Sequence, residues 1–159
     1  MSHDIDLLRR AISLAEEAAD RGNRPFGAVA VTAAGAVIAE GRNEVAESGV
    51  VTAHAELTAL TAATAAGRTA DLAGATVYAS GEPCPMCAAA MVWAGVTRIV
   101  FAAAEPDFHA VIGGYPRFTL RCAEVVGAAD VPVTVSGPHL DDEALAPFRR
   151  YLEIRQRTS

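Results

Sequence analysis

Thr52-Ala53-His54-Ala55-Glu56 and Gly81-Glu82-Pro83-Cys84-Pro85-Met86-Cys87 are the two stretches on which the reading of this chain turns. One imidazole and two thiols are a good donor set for zinc, which takes nitrogen and sulfur ligands in tetrahedral geometry. Structural zinc sites close with four protein ligands, whereas catalytic ones keep a position open for water. His54, Cys84 and Cys87 supply three ligands, and no fourth stands beside them in the sequence. Glu56 follows His54 by two positions, where a carboxylate reaches a water at the open position. The C-x-x-C spacing lets two sulfurs from one turn face a single ion, while His54, 30 positions before Cys84, has to converge on them in space.

Two other readings use the same residues. A C-x-x-C near a strand is a cue for a thioredoxin-like redox pair, but that reading leaves His54 and Glu56 without a role. A closed structural zinc site would take a fourth ligand from His109, His139 or Cys122, and the chain would then be a non-catalytic, zinc-stabilised binding module.

Outward from these stretches, Ala53 to Ala66 is rich in Ala and Leu and reads as a helix ending at Gly67, with His54 and Glu56 in its first turn. Pro85 suits the first position of a second helix, whose N–H would have no partner anyway, and that helix stops at Gly95. Asp4 to Arg21 carries Ile5, Leu8, Ile12 and Ala15 on one helical face and ends at Gly22. Gly27 to Thr32 and Ala36 to Glu40 are short apolar runs joined by a turn at Ala34-Gly35, hence a hairpin. Gly41 to Thr52 reads as a loop. Thr76 to Ala79, Arg98 to Ala102 and Val131 to Val135 are strand candidates, Glu105 to Arg117 reads as irregular, and Asp141 to Arg155 as a final helix. Helix, hairpin, then strands alternating with helices predict an α/β layered domain with a mixed sheet, antiparallel first and parallel later. Both ligand stretches then lie at helix starts outside strand ends, where sites in open α/β sheets are found.

The chain has 159 residues, room for one well-packed domain spanning 1–159. With 52% hydrophobic and 20% charged residues it is globular in composition. No apolar run approaches the ~18 residues of a membrane span, and the start lacks the basic and apolar regions of a secretory signal. Three cysteines make a poor disulfide framework and fit a reducing compartment, so the expected location is cytoplasmic. The net charge of −6 is opposite in sign to what grips a phosphate backbone, which counts against a nucleic-acid substrate.

H-x-E followed by P-C-x-x-C is the signature of the zinc deaminases of bases, with the Glu as acid/base rather than ligand. Together with Pro25-Phe26-Gly27-Ala28, Gly41-Arg42-Asn43 and Trp93-Ala94, it makes residues 4 to 104 resemble the cytidine deaminase superfamily. Within it, the chain is most similar to the small guanine deaminases and nucleoside deaminases of bacteria and plants. The resemblance implies a three-layer α/β/α fold around a mixed five-stranded sheet, one zinc ion per chain on His54, Cys84 and Cys87, and Glu56 as the proton carrier. It further implies that Asn43 hydrogen-bonds the base, that the Ala55 backbone contacts it, and that Phe26 and Trp93 line the pocket. It also implies a homodimer, with the C-terminal helix reaching the partner's pocket. Guanine deaminases use a second acidic residue after the fourth strand. Here the corresponding place falls near Tyr115, which is not acidic, and Glu105, Asp107 and His109 are the candidates for that role, against a plainer reading as solvated loop residues. The expected reaction is guanine to xanthine and ammonia. Deamination of adenosine in tRNA, or of a pyrimidine such as cytosine, is the alternative.

Overall fold

Gly27–Val31 (β1) is buried along its whole length because it lies inside the sheet, with a layer of helices on each face. The computed structural model describes residues Ser2–Ser159. β1 pairs antiparallel with Val37–Arg42 (β2) on one side and with Thr76–Gly81 (β3) on the other. Arg98–Ala103 (β4) and Thr134–Ser136 (β5) continue the sheet in parallel, giving the order β2-β1-β3-β4-β5. This is the expected mixed five-stranded sheet.

Alternation along the strands sorts the core into two layers. Ala28, Ala30, Val77 and Ile99 face Ala55–Ala65 (α3), Pro85–Ala94 (α4) and Cys122–Gly127 (α6). Val29, Val31, Tyr78 and Val100 face Ser2–Asp20 (α1), Glu105–Ile112 (α5) and Asp141–Thr158 (α7). A short helix, Val45–Ser48 (α2), crosses the stretch read as loop. No described helix is long and apolar enough to cross a membrane.

Three expectations are corrected. Glu105 onward is not irregular: it forms two turns of helix, begun by Pro106 in the first turn and ended where Gly113 and Gly114 take positive φ. The last strand is three residues rather than five, since Val131-Pro132 precedes it and Pro132 has no N–H to give the ladder. His54 precedes α3 as its N-cap instead of lying in the first turn. The last helix, α7, packs against α1 and α5, with Phe148 stacked on Phe108 at 5.1 Å and edge-on to Phe26 at 5.4 Å.

The start of α1 is anchored to the sheet by one polar cluster. Arg98 donates to both Asp4 oxygens at 2.6 and 3.1 Å, and the Tyr78 hydroxyl donates to Oδ1 at 2.6 Å. The Arg98 hydrogen bonds hold the Asp4 carboxyl well below its ordinary value of 3.8. Burial, with Asp4 as partner, pushes the Tyr78 hydroxyl up to about 12. A carboxyl depressed by folding stabilises above its unfolded pKa and loses that contribution as the pH falls toward the folded value. Because Arg98 is half-exposed, solvent tempers the effect. Asp4→Asn should therefore unfold about 1 kcal/mol more easily at pH 7 in a denaturant titration, with the gap to the native chain closing as the pH is taken below 3.8.

Candidate active site

His54 and Cys84 both occupy N-cap positions, in extended backbone, ahead of α3 and α4. A residue there points its side chain across the helix mouth, so two caps facing one another put their side chains into one volume. Cys87, in the first turn of α4, adds the second sulfur. His54 Nδ1 lies 3.6 Å from the Sγ of Cys84 and 3.6 Å from that of Cys87. All three donor atoms fall within 4.8 Å of one another. Zinc bonded to sulfur at about 2.3 Å and to nitrogen at about 2.0–2.1 Å, at a tetrahedral angle, holds those donors about 3.6 Å apart. The donor set and its spacing therefore fit zinc. The group already favours a thiolate: the Cys87 hydrogen bond and neighbouring His54 bring Cys84 down to about 4. Cys84 in turn raises both Cys87 and the His54 imidazole.

α3 can approach because β2 yields to it. A Cβ added at Gly41 would collide with the Ala55 carbonyl and the Ala59 N–H, so the first turn of α3 rests directly on strand backbone. Glu56, in that turn, is buried. Burial, reinforced by the nearby Cys84 charge, raises its carboxyl to about 7. A group poised there can both take and give a proton at neutral pH.

These residues open into a cavity of about 490 Å³, within the ~300–1,000 Å³ typical of small-molecule sites. Its floor is Phe26, Asn43, His54, Glu56 and Cys84. Asn43 is buried at the end of β2, accepts from the Val45 N–H at 3.1 Å through Oδ1, and leaves its NH₂ without a protein partner among the described residues. The outer wall comes from Glu82, from α5 and from residues 113–120, including Glu105, His109, Tyr115 and Phe118.

The other residues singled out from the sequence divide. Glu105 reaches the cavity, but Arg117 grips both its oxygens at 2.8 and 2.9 Å. Asp107 is exposed and outside the lining, because α5 turns it away while presenting Glu105 and His109. Ala55 is fully buried against Gly41 and does not line the cavity. Trp93 is 91% exposed at the far end of α4, over a separate cleft with Val92, Val125 and Val131. A helix advances 1.5 Å per residue, and nine residues separate Trp93 from the sulfur at the start of α4, so within one chain it does not reach the pocket. Neither His109, His139 nor Cys122 joins the three donors as a fourth ligand.

Sequence reading passed over Glu82 and Arg24. Arg24 lies 5.9 Å from the Phe26 ring centroid at the cavity rim. Glu82 is almost fully buried and paired with Arg121 at 2.8 Å. Burial alone would raise its carboxyl, but Arg121 and the N–H groups of Glu105 and Cys122 outweigh that and hold it below the usual range. The only cue was a carboxylate set between Gly81 and Pro83, where no periodic pattern operates.

A buried, near-neutral carboxyl beside a three-donor metal group with one side open to a cavity is the arrangement of a hydrolytic metalloenzyme. The chain belongs to the cytidine and deoxycytidylate deaminase zinc-binding family, whose model matches residues 1–103. It is 35% identical over 151 residues to the probable cytosine deaminase of Schizosaccharomyces pombe, covering 93% of this chain and 91% of that one. It is 44% identical over 108 residues to the guanine deaminase of Bacillus subtilis, covering 67% and 68%. The solved structure of guanine deaminase from Nitrosomonas europaea superposes with a TM-score of 0.73 at 27% identity, covering 91% of this chain and 82% of that one.

The contact at Gly41 gives a direct test. Gly41→Ala should overpack the β2–α3 seam, lower stability by about 1–3 kcal/mol and weaken zinc in a chelator competition, since α3 carries His54. Gly127→Ala, where an added Cβ meets nothing within 4 Å, should leave both unchanged.

Proposed function

We propose that this chain is a zinc-dependent hydrolytic deaminase of a free nucleobase, converting guanine and water to xanthine and ammonia, with residues 1–159 acting as a single catalytic unit. The observation that carries the reading is Glu56: a buried carboxyl raised to about 7, opening into the same cavity as His54, Cys84 and Cys87. Zinc held by those three would lower the pKa of water to about 7 and so make a nucleophile available at neutral pH. Glu56 would take one proton from that water and pass it to the ring nitrogen beside the carbon under attack. It would then take the second proton from the hydroxyl now on that carbon and give it to the departing amine, which leaves as ammonia while the carbonyl forms. The Asn43 NH₂ is placed to donate to a ring acceptor, and the Phe26 ring supplies an apolar floor. Glu105, bound to Arg117, orders the wall rather than moving protons. Guanine is supported by the likeness to the Bacillus subtilis enzyme.

A second reading, cytosine, is favoured by one observation. The Schizosaccharomyces pombe relative matches over 93% of this chain, through the wall and the last helix as well as the metal motifs. Net charge of −6 weighs against tRNA. We also place the enzyme in the cytoplasm as a homodimer. The three free thiols and the exposed apolar surface of Trp93 and Val131 support these two assignments.

Ammonia release by the zinc-loaded protein should be followed against guanine, guanosine, adenine, cytosine, cytidine and a tRNA anticodon stem-loop. Guanine should be turned over. Glu56→Gln should lose about a thousandfold in kcat while keeping one zinc per chain and the native unfolding profile. An active Glu56→Gln would sink the mechanism, and cytosine turnover alone would select the second reading.

A further inference from the structure

Glu82 is a buried charged group at the edge of the cavity that no step of the reaction uses. Its carboxylate accepts from three places at once: the Glu105 N–H at 2.9 Å, the Cys122 N–H at 3.1 Å, and the Arg121 guanidinium at 2.8–3.0 Å. The Glu105 and Cys122 N–H groups belong to the first turns of α5 and α6, which have no partner inside their own helices. One carboxylate therefore satisfies both helix starts. Between those starts runs the segment that carries Tyr115, Phe118 and Leu120 along the cavity wall.

The same residue directly follows β3 and stands two positions before Cys84. Glu82 thus measures the wall from the metal-ligand turn. Its backbone is fixed by strand pairing, with the Glu82 N–H bonded to the Ala103 carbonyl at 2.8 Å, and its side chain fixes both ends of the wall. The wall's other polar ties are the pair Glu105–Arg117 and a long contact, at 3.5 Å, from Arg24 to the Gly113 carbonyl. Neither involves a residue of the ligand turn. Reacting atoms tolerate little misplacement, so the distance from wall to metal determines which ring is held over the open position.

We propose that Glu82, through Arg121 and the starts of α5 and α6, is the positioning residue that sets the substrate-facing wall at its distance from the metal ligands and so determines which base the enzyme accepts. This rests on the deaminase reading, but its test separates the two. Glu82→Gln keeps the shape, removes the charge and turns one of the two accepting oxygens into an NH₂ donor, so one helix-start N–H loses its acceptor. With zinc content unchanged, KM for the preferred base should rise about tenfold while kcat stays within about threefold. The ranking of bases in the panel should also shift, because a looser wall discriminates less. Trypsin should cut the Arg117–Phe118 bond faster in the folded variant than in the native chain.

Unchanged KM and ranking in a folded, zinc-loaded Glu82→Gln would overturn the proposal. So would a loss of turnover that merely follows loss of zinc. If Glu82→Gln fails to fold, Arg121→Gln, altered at the half-exposed end of the pair, should show the same split between KM and kcat, and wild-type kinetics in it would also overturn the proposal. A native chain that releases ammonia from no base sinks the deaminase reading alone. The tryptic comparison then decides whether Glu82 holds the wall, and equal cleavage rates would end the idea.

Discussion

Two helix starts facing each other beyond the C-terminal ends of β2 and β3 are what the rest of this structure depends on. The N-caps of α3 and α4 must come close enough for His54 Nδ1 to lie 3.6 Å from two sulfurs. The backbone achieves this by thinning the layer between α3 and the sheet. Ala55, Ala59 and Ala63 are buried along α3, and Gly41 receives the turn from Ala55 to Ala59 with no side chain of its own. Alanine-rich packing gives up buried area per residue, and so some hydrophobic stabilisation. In exchange it gives a short interaxial distance, and the distance is what the site requires.

The electrostatics follow from the same geometry. Burial raises the Glu56 carboxyl while hydrogen bonding lowers the Cys84 thiol. The usual order of a thiol and a carboxyl is thereby inverted within one pocket, with Cys84 at about 4 and Glu56 at about 7. The remaining charges on the wall are neutralised in pairs, Glu82 with Arg121 and Glu105 with Arg117. A cavity so prepared presents few unpaired formal charges to an entering ring.

Much of this was legible in the sequence because the relevant signals are local. The metal donors, the Glu56 offset, the hairpin turn at Ala34-Gly35 and the helix stops at Gly67 and Gly95 depend on residues close in sequence or on simple periodicity. The errors fell where the decisive partner was distant. α5 was missed because eight residues with two acids, a proline and a histidine show little amphipathic pattern, and it is docking of Phe108 on Phe148, 40 positions on, that holds the helix in place. Glu82 was missed because its partners lie 23 to 40 positions away. Trp93 was placed in the pocket by resemblance, and only the run of α4 along the sheet shows how far its ring lies from the ligands.

Phe26, Phe108 and Phe148 meet edge-to-face and stacked at 5.1–5.4 Å, with the Phe26 ring lying over Gly81 so closely that no Cβ would fit there. Through this aromatic column the last helix of the chain is mechanically continuous with the floor of the cavity. The C-terminal segment is therefore not an appendage to a finished catalytic core. A change of side chain at Phe148 would be felt at the floor of the cavity, although Phe148 itself does not line it.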